Sequence, residues 1–436
     1  MFNYFKYFKN EIKCQDDSGG NWKSPLMESW RKFEIPYHEY TNDKYKLKFV
    51  QLMTRHGRRT TEVRHYPMSL WVCNSTENLF SNSQTTECET GQLTVNGVSD
   101  LMHLGRSYRT LFMDKLGFLN PNFNANEIYV RSTDKERTIS SARSLMHGLY
   151  GGDFNQSDKV PHSTFLIHPL VSETMTPPLN RKLVDCERYH FLCQLSRHHP
   201  LVLKDHKDNQ LDKFTKQLEE ILEKSKENGE SLFYRPKVTS YIHLVHEFDS
   251  LQTHGLPIPK GITEDIIDRM YQESAKESKF EGIYRKDGVS QLAIGRFIKE
   301  MQDQLQLKLN NDPSVKDLKL AYYSAHDHSL TSLLVAYDMY EDKYHPITSS
   351  SLEFLLFEDT QPQTPSKSPT DNHYIKVIYN QTPTHISECK SKEVDNMCPL
   401  DEFIRISQQL IPENWENQCK ITQDEKLQFI KDIKTY

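Results

Sequence analysis

Apolar residues gather in this chain in two patterns that alternate along it. Short β-rich runs at 46–53, 127–130 and 318–323 are built around Leu, Val, Ile, Phe, Ala and Tyr and predict strands. Each is followed by a polar loop. The first reads Thr54-Arg55-His56-Gly57-Arg58-Arg59, the second Arg131-Ser132-Thr133-Asp134 and the third Ser324-Ala325-His326-Asp327-His328. The second leads into a predicted helix over 135–150, stopped by Gly151-Gly152, and the third into a helix reaching Leu334. Two further strands, 351–357 and 374–379, flank a stretch at 358–372 rich in Pro, Ser, Thr and Gln, which predicts a long hairpin loop. A charged amphipathic helix is expected over 211–227, ended by Asn228-Gly229, and another over 287–309. Strand–helix alternation is absent from the middle, 185–295, and present on both sides. The expected organisation is an α/β body formed by 45–184 and 296–436. Its sheet is mainly parallel with helices on both faces. A mostly helical cap at 185–295 interrupts it, and a polar extension over 1–44 precedes it.

Composition narrows the function. The 436 residues suffice for a large core, and 11% aromatics argue against disorder despite 26% charged residues. Net charge is −6 with Lys and Arg scattered, so a nucleic-acid partner is not expected. No apolar run approaches the ~20 residues of a membrane span. No apolar segment follows Met1, so no cleavable secretory signal is visible. Eight cysteines nevertheless lean towards disulfides in an oxidising compartment, lysosomal or extracellular. Glycosylation sequons at Asn74, Asn155 and Asn380 agree with this. No CxxC pair is present, so a cysteine metal site is not expected.

The three loops carry the chemistry. In an open α/β sheet, ligands bind in the crevice at the carboxyl ends of the strands, where helix N-termini offer free N–H groups to anions. Loops in that place would bring together Arg55, His56, Arg59, Arg131 and His326. Guanidiniums around imidazoles suit a phosphoryl group, because the planar fork binds its oxygens bidentately and stays charged. Asp327, at the edge of the cluster, has the right identity to protonate a leaving alkoxide. Each loop alone is weak; three in equivalent positions are not.

The segment Arg55-His56-Gly57-Arg58-Arg59 resembles the R-H-G-x-R signature of the histidine phosphatase superfamily. Arg131 to Thr138 resembles R-S-T-D-x-x-R-T, and Ser324-Ala325-His326-Asp327 resembles S-A-H-D, both motifs of its acid-phosphatase branch. Gly91-Gln92-Leu93-Thr94 with Gly97, His254-Gly255-Leu256-Pro257 through Asp265, and Cys398-Pro399-Leu400 with Phe403 are similar to further motifs of the prostatic, lysosomal and lysophosphatidic acid phosphatases. The resemblance implies a phosphoglycerate-mutase-like fold and a metal-independent phosphomonoesterase with no cofactor. His56 would form a phosphohistidine. Asp327 would donate the proton, and Arg55, Arg59, Arg131 and His326 would hold the phosphate. It leaves the substrate open, lysophospholipid and phosphoprotein included, and allows a homodimer. It also implies Cys186–Cys419 and Cys389–Cys398 disulfides, with Ser250 and Ser350 standing where relatives place another pair. Cys14, Cys73, Cys88 and Cys193 are left over with their pairing open, Cys73 with Cys88 being a plausible local loop.

The sequence departs from the family pattern at Thr60 and Thr61, where the branch usually has proline at the second place. Arg58 fills a position more often acidic or small, and would add positive charge at the site's mouth. His328 stands where a small residue is usual. Asp134 and Arg137 are expected to brace their loop. Cys-x5-Arg and Asp-x-Asp signatures are absent, which removes two other phosphatase chemistries. A silent binding protein on the same fold remains the rival, and the intact Arg55, His56, Arg59, Arg131, His326 and Asp327 weigh against it.

Overall fold

A computed structural model describes residues 33–62, 71–73, 88–151, 167–169, 174–179, 186–227, 237–238, 240–256, 258–340, 345–362 and 368–435. Its strands are β1 (Tyr45–Arg55), β2 (Ile128–Ser132), β3 (His168–Pro169), β4 (Leu320–Ala325), β5 (Ser351–Asp359), β6 (His373–Tyr379), β7 (Thr382–Thr384) and β8 (Cys398–Pro399). They form one sheet in the order β3-β2-β4-β1-β5-β6-β7, with β8 pairing β6. The parallel half, β3-β2-β4-β1, carries the three loops. The hairpin expected at 351–379 pairs antiparallel beside β1 and extends the sheet on that side.

The helices are α1 (Val95–Arg109), α2 (Glu136–Tyr150), α3 (Glu187–Ser196), α4 (Pro200–Asp208), α5 (Leu211–Glu227), α6 (Tyr241–Gln252), α7 (Glu264–Glu281), α8 (Ser290–Leu309), α9 (Asp327–Ala336), α10 (Leu400–Leu410), α11 (Trp415–Gln418) and α12 (Gln423–Ile433). The 287–309 helix begins at Ser290. Gly288, at φ 116°, breaks the helical path before it.

Helices cover both faces of the sheet, so β1 is buried from Phe49 to Arg55 and β2 at all but Tyr129, rather than alternating with water. β4 is buried at every position. Its alternate residues still separate by face. Ala321, Tyr323 and Ala325 join one core with α8, α9 and α10, while Leu320 and Tyr322 join another with α1 and α2. A register shift between Leu47 and Phe49 in β1 lets Leu47 share the second core with Val50 and Leu52. The segment 185–295 divides its burial. α3 places Tyr189, Leu192 and Leu195 in the first core. α5, α6 and α7 form a third core of their own around Phe214, Leu218, Phe248 and Tyr271, joined by Trp71 and Cys88 from the chain between β1 and α1.

Disulfides join Cys73–Cys88, Cys186–Cys419 and Cys389–Cys398, with Cα separations of 5.7, 4.4 and 5.8 Å. The second ties the start of α3 to the end of α11. Cys193 is a buried free thiol, and burial pushes it up. Cys14, Asn74 and Asn155 lie outside the described residues. The Asn380 side chain is turned onto β5, accepting from the Ser351 N–H (3.0 Å) and donating to Ser350 Oγ (3.3 Å). Among the described residues no helix is long and apolar enough to cross a membrane.

Candidate active site

β1 ends at Arg55, and its backbone is clamped on both sides. The Arg55 N–H donates to the Ser350 carbonyl (2.9 Å), and the His56 N–H to the Ala325 carbonyl (3.0 Å). The loop then runs against the start of α1. A Cβ on Gly57 would lie 2.6 Å from the Gly97 carbonyl oxygen, and one on Gly97 2.2 Å from that of Arg58, so both positions require glycine. Thr94 holds the same contact, giving its N–H (3.0 Å) and its hydroxyl (3.1 Å) to the Arg58 carbonyl. The Gln92-Leu93-Thr94…Gly97 motif is therefore the seat of the nucleophile loop.

His56 is buried, with Nδ1 2.9 Å from the Gly57 carbonyl oxygen. A carbonyl only accepts, so Nδ1 carries the proton and Nε2 is left with its lone pair. Burial lowers the imidazole well below its usual value, and Arg137, Arg55, Arg59 and His326 lower it further. The ring stays neutral in acid, as a nucleophile must. His326 is half-buried and likewise neutral, with Nε2 3.0 Å from Thr133 Oγ1 and its ring centroid 5.6 Å from that of His56.

The arginines divide unexpectedly. Arg55 donates from Nη1 to the Pro346 carbonyl (2.7 Å) and pairs through Nη2 with Asp327 Oδ2 (2.9 Å). Arg59 bonds the Thr60 carbonyl (3.0 Å) and meets the Glu62 carboxylate at 3.3 Å. Arg137, in the first turn of α2, meets the same carboxylate at 3.3 Å. It is the strongest charge acting on both His56 and His326. Burial and Arg59 push its guanidinium down to about 10, still charged in acid. The buried Nε–H groups of Arg55, Arg59, Arg131 and Arg137 have no hydrogen-bond partner. Arg131 stands apart. It lies on β2 one residue below the strand end, its neighbour across the ladder is Tyr323, and its guanidinium is taken by the Glu300 carboxylate and the Thr174 hydroxyl. Arg131, which the sequence suggested as a phosphate ligand, is thus ion-paired with Glu300, as Arg55 is with Asp327 and Arg59 and Arg137 are with Glu62.

Asp327 opens α9. Burial opposes its charge, but Arg55, then His246 and His328, outweigh burial and hold it well below the usual carboxylate range. His246, from α6, brings Nε2 to 2.8 Å from Oδ2, and His345 brings Nε2 to 3.7 Å. Burial lowers these two imidazoles to about 3 and about 4. Neither was singled out from the sequence, since each lies far along the chain in a segment with no motif. His246, Asp327 and His345 are also the group, among the described residues, whose ligand atoms approach within 4.8 Å of one another as a metal site would need. Arg55 already pairs with the same Oδ2, and a dication would sit beside that guanidinium, so the charges there oppose it.

Arg58 does not add charge at the mouth. Asp100 takes its Nε and Nη2 at 2.6 and 2.7 Å, and its Nη1 reaches the Thr253 carbonyl after α6 (3.2 Å), fastening the loop to α1 and to the end of α6. His328 is half-exposed, with Nε2 3.7 Å from Asp327 Oδ1. Asp134 is half-exposed beside Lys135.

Residues 46–380 match the model of the histidine phosphatase superfamily, branch 2. The chain belongs to this family. It is 49% identical to a probable acid phosphatase of Dictyostelium discoideum, over 94% of this chain and 88% of that one. It is 26% identical to human lysosomal acid phosphatase, over 86% and 80%. Its fold matches the apo form of Hafnia alvei phytase with a TM-score of 0.59 at 13% identity, covering 88% of this chain and all of that one. This histidine phosphatase is an enzyme of the acid-phosphatase kind, with small phosphomonoesters as its class of substrate.

Proposed function

We propose that the chain hydrolyses phosphomonoesters in acid through a phosphohistidine on His56, with Asp327 as the proton donor. Arg55, Arg59, Arg137 and His326 bind the phosphoryl oxygens, and Arg131 is a structural residue. The observation that carries this reading is a neutral His56 with Nδ1 committed to the Gly57 carbonyl, set among the guanidiniums of Arg55, Arg59 and Arg137, whose buried Nε–H groups, like that of Arg131, have no partner. A phosphate dianion or monoanion supplies the missing acceptors and neutralises the crowded charge. Phosphoryl transfer needs in-line positioning and charge neutralisation more than covalent ingenuity, and fixed guanidiniums provide both.

Nε2 of His56 attacks phosphorus as the bond to the leaving oxygen breaks, and Asp327 gives that oxygen its proton. Water then attacks the phosphohistidine, Asp327 takes a proton from it, and the P–N electron pair returns to Nε2. Asp327 is ionised in the unliganded chain, so it must gain a proton on binding. The phosphate monoanion, which dominates below a second pKa of ~6, brings one. Anionic oxygens near Arg55 also weaken the guanidinium's hold on Asp327 and raise its affinity for that proton.

The disulfides and the similarity to lysosomal acid phosphatases support a lysosomal or secreted enzyme. The test is p-nitrophenyl phosphate hydrolysis at about pH 5, near the top of the carboxylate range, with EDTA present, for the wild type and His56→Ala. Activity that withstands EDTA and disappears in the folded variant is the expected result. A folded wild type inactive from about pH 4 to 8 returns the reading to a silent binding protein.

A further inference from the structure

We propose that His246, backed by His345, is a positioning residue that directs the transferable proton of Asp327 to Oδ1. This rests on the phosphohistidine reading above, with Asp327 as donor. The two carboxylate oxygens have unlike surroundings. Three nitrogens converge on Oδ2: Arg55 Nη2 at 2.9 Å, His246 Nε2 at 2.8 Å and His345 Nε2 at 3.7 Å. Oδ1 accepts the His328 backbone N–H at 2.7 Å and has the half-exposed His328 ring 3.7 Å away. A carboxylate accepts only, so a nitrogen this close to Oδ2 must present N–H, which fixes His246 as its Nε2–H tautomer. At 2.8 Å the ring lies off the line of an aligned hydrogen bond, and Nε2 has no other partner. Such contacts in unliganded enzymes tighten when substrate binds.

A proton arriving at Asp327 cannot share Oδ2 with these N–H groups. It goes to Oδ1, and the leaving oxygen takes it there. As the P–O bond breaks, the O–H bond of Asp327 breaks with it. The carboxylate charge that returns is met at Oδ2 by Arg55 and His246. Imidazole suits this place. Burial keeps both rings neutral, so His246 adds a directed N–H without a second full charge holding Asp327 ionised. His246 comes from α6, in the helical segment whose Thr253 and His254 also meet the nucleophile loop through Arg58 and Thr94. The docking of that segment thereby sets the proton donor.

The experiment compares kcat/KM on p-nitrophenyl phosphate and on an alkyl phosphate, ethyl phosphate, for wild type, Asp327→Asn, His246→Leu and His246→Gln. A good leaving group needs little protonation, so loss of a proton donor falls mainly on the alkyl ester. His246→Leu is expected to lower the alkyl rate about tenfold or more and the nitrophenyl rate less than about threefold, a fraction of the ~10²–10⁴ available to general-acid catalysis. His246→Gln, whose amide N–H can replace Nε2–H, is expected to restore most of the alkyl rate. His345→Leu provides the same comparison, with a smaller effect, should His246→Leu not fold. If Asp327→Asn slows both esters equally, the proton-donor reading itself fails. If Asp327→Asn discriminates but the histidine variants lose both rates equally, or glutamine does not rescue, the positioning role is overturned while Asp327 keeps its own. An alkyl-selective loss produced by EDTA on wild type would instead mean a bound metal at these three side chains, and would also overturn it.

Discussion

Glu353 allows the clearest calculation from the structure. It is fully buried on β5, on the face that carries α1. Tyr40 donates its hydroxyl to Oε2 and Tyr108 to Oε1, each at 2.7 Å. Burial raises the carboxyl from 4.5 to about 7, against the opposing pull of the two hydroxyls. A raised folded-state value means that the favourable contribution is fully present below the unfolded value and is lost as pH rises through about 7. The gap, at ~1.4 kcal/mol per pH unit, is worth ~3 kcal/mol. Glu353→Gln is neutral at every pH, and its NH2 donates to one tyrosine oxygen where the carboxylate accepted. Buried and half-buried histidines, among them His56, His246, His254, His326 and His345, act in the opposite sense. Their lowered values give stability present above ~6.5 and lost as pH falls below it. Both proteins share those terms, so the difference between them isolates Glu353. Urea unfolding at pH 4.5, 6 and 8, points spanning the carboxylate and histidine ranges, should find the glutamine variant at its greatest disadvantage, or least advantage, at the lowest pH. The gap should shift in favour of the glutamine variant by up to ~3 kcal/mol at the highest. A gap that stays constant with pH would refute the reasoning.

Arg137→Ala should lower kcat/KM by ~10²–10³, the scale of removing one charged donor from a preorganised site, and should weaken inhibition by inorganic phosphate. Arg131→Ala should leave kcat/KM within a fewfold of wild type and cost about 1–2 kcal/mol of stability, because it strips partners from Glu300 and Thr174 instead. Thermal melts beside the kinetics separate the two, and equal kinetic losses would restore Arg131 to the phosphate shell.

The site was legible in the sequence where local pattern fixes position. Strand ends followed by polar loops placed His56, His326 and Asp327 at one end of the sheet, because parallel strands share a direction. The choice between Arg131 and Arg137 was not legible from the motif alone. Both belong to one octapeptide, and the sheet's alternation, with Arg131 opposite Tyr323 and paired with Glu300, gives them different partners. A Glu62 carboxylate between Arg59 and Arg137 could not be foreseen, since it joins a loop to a helix 75 residues on. His246 and His345 are further still from any local signal. They reach Asp327 only through the packing of α6 and of the chain before β5, and tertiary packing of this kind has no sequence period. Glu353 reads as an ordinary polar residue within an apolar strand until Tyr40 and Tyr108 are seen to meet it.

The central claim is covalent transfer to His56, and rapid-quench trapping with a phosphoryl-labelled aryl phosphate near pH 5, below the histidine range, tests it most directly. The account predicts up to one label per chain, stable in alkali and released by acid, mapping to His56 and absent from His56→Ala. A wild type that turns over this substrate with retention of configuration at phosphorus would agree. Turnover with no trapped label and inversion at phosphorus would mean that water attacks the ester directly, and would contradict it.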